Sequence, residues 1–210
     1  MKNDPKKLLR YPPFERANHW LTAIIFTLLA LSGLAFFYPA FYPLSQLFGG
    51  GVWTRVLHPF IGVVMVVSFG VMFFNYRLLN VMTPTDLEWL SHVREMVDGD
   101  DRNMPEAGKF NGGQKLLFWL MVACMALLIV SGVVIWRAYF SFLFPVAVIR
   151  FASVVHAVAA TIMIALIIFH IYAAIWTKES IDAMLYGRVR RAWAKQHHPA
   201  WFRQMTGGGK

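Results

Sequence analysis

The chain has 210 residues, of which 58% are hydrophobic and only 15% are charged, and its net charge is +9 at neutral pH. Several charge-free stretches exceed 18 residues, which excludes an ordinary water-soluble domain, and the strand alternation of an outer-membrane barrel is missing. A basic chain can bind nucleic acid, but here Lys and Arg lie mainly beside the apolar stretches, so membrane topology explains them and no nucleic-acid partner is expected.

Four apolar segments are predicted to cross the membrane as helices. They cover approximately residues 18–38, 56–76, 116–136 and 150–176. The segment lengths suit helices that span a bilayer of about 30 Å. The prediction is therefore an all-α integral membrane four-helix bundle, formed by residues 1–210 as one membrane domain.

The distribution of basic residues predicts the orientation. Residues 1–18 hold five Lys and Arg, residues 77–115 hold five and residues 178–210 hold seven, whereas the two loops on the opposite side hold three. Loops rich in Lys and Arg stay in the cytoplasm. The N-terminus, the loop 77–115 and the tail 178–210 are therefore predicted to be cytoplasmic, with the section from Trp193 to Trp201 lying on the membrane interface.

Two histidines share the fourth segment. His156 and His170 are 14 residues apart, so they lie about 21 Å apart along a helix and about 40° apart around its axis. One helix thus offers an imidazole near each edge of the bilayer, on one face. Ionisable residues are expensive in hydrocarbon and are functional candidates by default.

Two further histidines complete the set. With the predicted topology, His58 lies at the depth of His156 near the outer edge, and His19 lies at the depth of His170 near the inner edge. We name these the outer pair and the inner pair. Haem b that only carries electrons takes two axial nitrogens, and facing helices of a bundle can supply them. Two haems stacked in this way would carry an electron across the membrane.

Other interpretations of the histidines remain open. Each histidine alone is more often a hydrogen-bonded interfacial residue than a ligand. A zinc or copper site is less favoured, because no Asp or Glu and only Cys124 lies within the apolar segments near them. The adjacent His197 and His198 are interpreted as a solvated pair in the tail, with no ligand role.

A polar motif precedes the third segment: Asn111-Gly112-Gly113-Gln114-Lys115. Asn and Gly favour turns and helix starts, so a local structural role accounts for them. Alternatively, Asn and Gln amides at the membrane edge supply the donors that a quinone carbonyl needs. Beside an inner haem, the quinone interpretation is favoured.

Taken in order, several motifs resemble the gamma subunit of bacterial membrane-bound formate dehydrogenase, a cytochrome b. The motifs are Glu15-Arg16-Ala17-Asn18-His19-Trp20, Leu57-His58-Pro59-Phe60, Phe110 to Lys115, His170-Ile171-Tyr172, Ala192-Trp193-Ala194-Lys195 and His197-His198-Pro199. The similarity extends from about residue 10 to 205. It implies two b haems, the outer bound by His58 and His156 and the inner by His19 and His170. It also implies a quinone site at Asn111, Gly113 and Gln114, with menaquinone or ubiquinone as acceptor.

The resemblance also implies partners and a location. It predicts a bacterial cytoplasmic (inner) membrane protein that binds an iron–sulfur beta subunit and a catalytic alpha subunit with molybdenum or tungsten, in a heterotrimer that can repeat. A single cysteine cannot hold a cluster, so iron–sulfur chemistry must belong to a partner. Two alternatives are the cytochrome b of a nickel–iron hydrogenase or related quinone-linked oxidoreductase, and a haem-free anchor or transporter.

Overall fold

The computed structural model describes residues 6–98 and 102–207, and most of these residues are helical. Within them, four helices are long and apolar enough to cross a membrane. They are α1 (Pro13–Phe37), α2 (Gly51–Tyr76), α5 (Gly112–Ile135) and α6 (Val146–Trp176). The shorter helices are α3 (Pro84–Ser91), α4 (Val93–Val97), α7 (Ser180–Tyr186), α8 (Arg191–His197) and α9 (Pro199–Thr206), and 3₁₀ segments cover Pro39–Phe48 and Ser141–Leu143. The prediction of four long apolar helices is confirmed.

The long helices begin four or five residues before the predicted apolar segments. The prediction was based on charge-free windows, but a helix tolerates charged side chains in its first turns, as at Arg16, Arg55 and Arg150. Local capping sets the actual start. At α5 the side chains of Asn111 and Gln114 satisfy each other's backbone N–H groups, which is the capping-box arrangement. The boundaries of the spans relative to the membrane remain a prediction.

The chain divides into two compact units. The first unit comprises the described parts of 1–16, 75–120 and 170–210, and the second comprises 17–74 and 121–169. The proposal that the whole chain acts as one membrane domain stays a prediction.

All four long helices contribute to the core of the second unit. Its buried residues are Ile25, Met65, Cys124, Met125 and Met163. Outside this core, most large apolar side chains of the helices are exposed, as expected for helices that face lipid. The second unit is therefore a four-helix bundle with a narrow apolar centre.

The first unit contains a two-stranded antiparallel ladder that the sequence did not predict. Strand β1 (Lys7–Leu9) pairs with β2 (Arg188–Arg190), with Leu8 opposite Val189. A cluster of buried residues forms around this ladder: Leu8, Ala183, Val189, Trp193, Ala194 and Trp201. The indoles of Trp193 and Trp201 both pack in this core, and the interfacial position of the section between them stays a prediction.

Three segments predicted to lie on one side of the membrane meet in the first unit. Arg10 donates to the carbonyl of Lys109 at 2.7 Å, and a ring nitrogen of His198 lies 2.8 Å from the carbonyl of Gly108. Arg203 forms an ion pair with Glu106. The N-terminal segment, the loop 77–115 and the tail are thus in direct contact, and their side of the membrane stays a prediction.

Candidate functional site

The outer pair meets within the second unit. His58 lies on α2 and His156 on α6, and their ring centroids are 6.3 Å apart with an interplanar angle of 69°. Two imidazoles on opposite sides of one metal, each with a metal–nitrogen bond of about 2 Å and its ligand nitrogen about 1 Å from the ring centroid, place the centroids roughly 6 Å apart. The spacing therefore fits two axial ligands of one haem iron.

A serine engages one ring nitrogen of each outer histidine. Ser32 Oγ on α1 lies 2.7 Å from Nδ1 of His58, and Ser131 Oγ on α5 lies 3.0 Å from Nδ1 of His156. In a histidine that ligates a metal, the second ring nitrogen is typically hydrogen-bonded in this way. Nε2 is the nitrogen left on each ring to ligate iron.

A glycine follows each of these serines and lies beside the imidazole. A methyl group at Gly33 would lie 3.5 Å from Cε1 of His58, and one at Gly132 would lie 3.4 Å from Cε1 of His156. Both distances correspond to ordinary van der Waals contact, so the two Ser-Gly steps, Ser32-Gly33 and Ser131-Gly132, make the same contacts on two different helices. A methyl group at Gly62, one turn after His58, would meet no other atom within 4 Å.

Described side chains offer little for a metal site of another kind. Among the described residues, no group of three or more His, Cys, Asp and Glu side chains is placed to hold a metal ion. What the second unit presents is two imidazoles whose spacing and hydrogen bonds suit a bis-histidine haem.

The apolar core lies two helical turns from the outer pair. Ile25, Met65, Cys124 and Met163 each lie seven residues along their own helix from Ser32, His58, Ser131 and His156 respectively. Seven residues correspond to about 10.5 Å of helix. The polar outer site is thus bounded on one side by a layer without charged groups.

The inner pair is divided between the units. His19 belongs to the second unit on α1, and His170 belongs to the first unit on α6. Next to His19, the Asn18 amide donates to the carbonyl of Ser68 at 3.0 Å, and the hydroxyls of Thr22 and Ser68 lie 2.6 Å apart. This polar contact fixes α1 against α2 beside His19. The pairing of His19 with His170 stays a prediction.

The predicted quinone motif has a clear local role. The Asn111 N–H donates to Oε1 of Gln114 at 3.1 Å, and the Gln114 N–H donates to Oδ1 of Asn111 at 2.9 Å. Both side-chain oxygens are therefore committed to capping, while each amide NH₂ group is held in place as a donor. The turn-and-helix-start interpretation is correct, and it leaves the donors that a quinone carbonyl needs.

Both glycines of the motif allow close packing of α3 against the start of α5. A methyl group at Gly112 would collide with the main-chain oxygen of Asp86, and one at Gly113 would lie 2.9 Å from the Trp89 ring. Close packing alone therefore explains why both positions are glycine. The N–H of Gly113 lies in the first turn of α5, where backbone donors have no partner within the helix.

A buried ion pair anchors this helix start. Lys115 Nζ lies 2.6 Å from Oδ2 of Asp86, and both side chains are buried. Burial raises the pKa of the Asp86 carboxyl, but hydrogen bonds from Lys115 and Thr83 outweigh it and leave that pKa below its ordinary value.

The sequence did not reveal a second buried polar cluster, around Arg10. The Arg10 guanidinium lies 5.2 Å from the Trp193 ring centroid and 4.9 Å from that of Trp201, and its Nη2 lies 3.2 Å from Nε2 of His198. Burial and the Arg10 charge lower the pKa of His198 to about 3. The interpretation of His198 as a solvated tail residue is therefore wrong: it is a neutral structural residue.

Comparison with known proteins shows the family to which the chain belongs. A family model described as prokaryotic cytochrome b561 matches residues 10–187. The formate dehydrogenase cytochrome b556(fdo) subunit of Escherichia coli K12 is 46% identical over 198 residues, covering 94% of this chain and 93% of the relative. The nitrate-inducible cytochrome b556(Fdn) subunit of the same strain is 40% identical, covering 95% and 92%. The formate dehydrogenase cytochrome b556 subunit of Haemophilus influenzae is 36% identical, covering 97% and 85%.

Proposed function

Because the chain belongs to the prokaryotic cytochrome b561 family and groups there with formate dehydrogenase cytochrome b556 subunits, we propose that it is the dihaem membrane anchor of a formate dehydrogenase. In this role it passes electrons from an iron–sulfur subunit across the bacterial inner membrane to quinone. Family membership itself implies haem b and a multi-pass membrane protein. The number of haems, the quinone and the individual partners belong to the proposal.

The observation that carries the proposal is the geometry of the outer pair. Two imidazoles from different helices have their ring centroids 6.3 Å apart, and each has its Nδ1 engaged by a serine. His58 and His156 would hold the outer haem through Nε2. When bound between two imidazoles, haem b exchanges single electrons and has no open position for oxygen.

The inner haem is assigned to His19 and His170. The support is their matching depth in the predicted topology and the resemblance of the surrounding motifs. The polar contact of Asn18 and Thr22 with Ser68 would keep α1 in register beside His19. The two sites together give an electron a route between the edges of the membrane.

The quinone is assigned to the start of α5. The capping contacts hold the Asn111 and Gln114 amides as uncharged donors, and the Gly113 N–H adds a backbone donor. Donors of this kind stabilise negative charge that develops on a carbonyl oxygen during reduction. Protons for the reduced quinone would come from the cytoplasm, to which this end of the chain is assigned.

The partners would be an iron–sulfur beta subunit and a molybdenum- or tungsten-containing alpha subunit that oxidises formate. The contact of the basic N-terminal segment, loop 77–115 and tail supports a common cytoplasmic side for all three. The outer haem would then receive electrons from the periplasmic side. Moving one charge across the membrane corresponds to about 2.3 kcal/mol per 100 mV, so this arrangement conserves energy.

The test is a reduced-minus-oxidised absorbance spectrum of the intact complex, with formate as reductant. We expect two haem b per chain to be reduced by formate and reoxidised by added quinone. Haems that dithionite reduces but formate does not, in a complex retaining all subunits, would reject formate as the donor. A preparation without haem b, isolated with its native cofactors, would reject the proposal entirely.

A further inference from the structure

The outer histidines are each held by the same arrangement of side chain and backbone. Ser32 on α1 contacts His58 on α2, and Ser131 on α5 contacts His156 on α6. Both serines are buried, with 0% and 3% of their surfaces exposed. Two different helices thus each place a serine hydroxyl beside the Nδ1 atom of one of the two histidines.

The direction of these hydrogen bonds follows from the hydroxyl's other contacts. Ser32 Oγ lies 2.7 Å from the carbonyl oxygen of Leu28, and Ser131 Oγ lies 2.5 Å from that of Leu127. A carbonyl oxygen can only accept, and a hydroxyl has one hydrogen. Without a hydrogen between them, two oxygen atoms at this distance would repel each other.

Each hydroxyl hydrogen is therefore committed to the backbone of its own helix, four residues earlier. The serine oxygen is left as an acceptor, so Nδ1 of each histidine must carry the hydrogen of that contact. This selects the imidazole tautomer with an unprotonated Nε2, which is the form that ligates a metal.

We propose that Ser32 and Ser131 are positioning residues for the outer haem: they accept the Nδ1 hydrogens of His58 and His156, and so fix the orientation and the donor strength of both iron ligands. This inference rests on the proposed function, because it takes His58 and His156 as the ligands. An acceptor on Nδ1–H makes the imidazole more basic. A more basic ligand favours the oxidised iron and lowers its reduction potential.

The test uses Ser32→Ala and Ser131→Ala in the complete complex. We expect two haems per chain in each variant, with the midpoint potential of the outer haem raised and a larger rise in the double variant. Transfer of the outer haem to apomyoglobin should be roughly 10–100-fold faster, the usual cost of losing an outer-shell partner. The electron paramagnetic resonance signal of the oxidised outer haem should shift as well.

Ser153→Ala is the matched control. Ser153 lies exposed on α6 and makes the same hydroxyl contact with a carbonyl four residues earlier, that of Ile149 at 2.9 Å. This variant should keep wild-type potentials and haem release. Loss of the outer haem alone from a serine variant would also support the proposal. The proposal would be overturned if the serine variants had the same outer-haem potential and release rate as Ser153→Ala. Loss of both haems would also overturn it, because it would indicate a purely structural role for the serines.

His58→Ala separates this inference from the proposed function. It identifies the outer haem as the one that disappears. If His58→Ala keeps both haems, the ligand assignment fails, whatever the serine variants show. If it loses one haem while the serine variants match their control, only the inference about serine fails.

Discussion

Lys115 Nζ lies 2.6 Å from Oδ2 of Asp86, and this buried ion pair fastens the first turn of α5 to α3. Asp86 also accepts hydrogen bonds from the N–H and the hydroxyl of Thr83. The carboxylate therefore caps one helix and neutralises a charge on another. The main chain of Asp86 also lies against Gly112, so α3 packs against the proposed quinone motif.

Asp86→Asn should destabilise the protein strongly. The amide oxygen still accepts at the helix cap, but the buried Lys115 ammonium loses its counter-charge, which typically costs about 3–5 kcal/mol. Thermal unfolding in detergent, followed by circular dichroism, measures the change. Adding Lys115→Met to Asp86→Asn should recover much of the loss, because no unpaired charge is then buried. Glu88→Gln, at an exposed position on α3, is the control, and equal stability of Asp86→Asn and Glu88→Gln would contradict the account.

The Arg10 cluster predicts a pH dependence of stability. The pKa of His198 is lowered from 6.5 to about 3 in the folded protein. Between these values the unfolded chain binds a proton that the folded chain does not, so stability is full above pH 6.5 and falls as the pH is lowered. The titration of His198 alone changes the free energy of unfolding by up to about 1.4 kcal/mol per pH unit.

His198→Gln should flatten that dependence. A neutral amide can still donate to the carbonyl of Gly108 and accept from Arg10, but it does not titrate. Chemical denaturation between pH 4 and pH 8 should show a shallower slope than in the wild-type protein. His92→Gln removes a histidine paired with Glu95 at 2.9 Å and should leave the His198 contribution in place. An unchanged slope in His198→Gln would show that His198 is not the group responsible.

The proposed quinone site can be separated from helix capping. Asn111→Asp and Gln114→Glu keep the oxygens that accept the capping hydrogen bonds, but each removes an amide donor. We expect both haems and normal stability to be retained, with quinone reduction slowed about tenfold, the effect of one lost hydrogen bond in a desolvated site. Steady-state quinone reduction with formate as donor is the measurement.

Alanine variants at the same positions serve as the comparison. Asn111→Ala and Gln114→Ala should slow quinone reduction too, while Asn111→Ala also loses about 1 kcal/mol of capping stability. Wild-type quinone kinetics in Asn111→Asp and Gln114→Glu would exclude the amides as quinone donors and leave only their capping role.

Much of the functional arrangement follows from patterns that are local in the sequence. Charge-free lengths predicted the four long helices, and counting residues by depth paired His58 with His156, which the structure brings together. The repeated Ser-Gly steps are visible in the sequence, but their contact with these histidines depends on how the helices are rotated. No local periodicity carries that information.

Long-range packing explains the features that sequence reasoning missed. The tail resembles an interfacial segment because Trp193 and Trp201 alternate with basic residues. Their burial depends on Arg10, which lies more than 180 positions earlier in the chain. The pairing of β1 with β2 depends on the same distant contact, and three-residue strands leave almost no pattern of their own. The pairing of His19 with His170 stays a prediction.

The central claim is that His58 and His156 hold one haem, and haem quantification in the purified complex tests it most directly. Haem b per chain should fall from two to one in both His58→Ala and His156→Ala, and should stay at two in His92→Gln. The remaining haem should keep its wild-type spectrum, since its ligands are unchanged. Two haems per chain in either alanine variant would contradict the account.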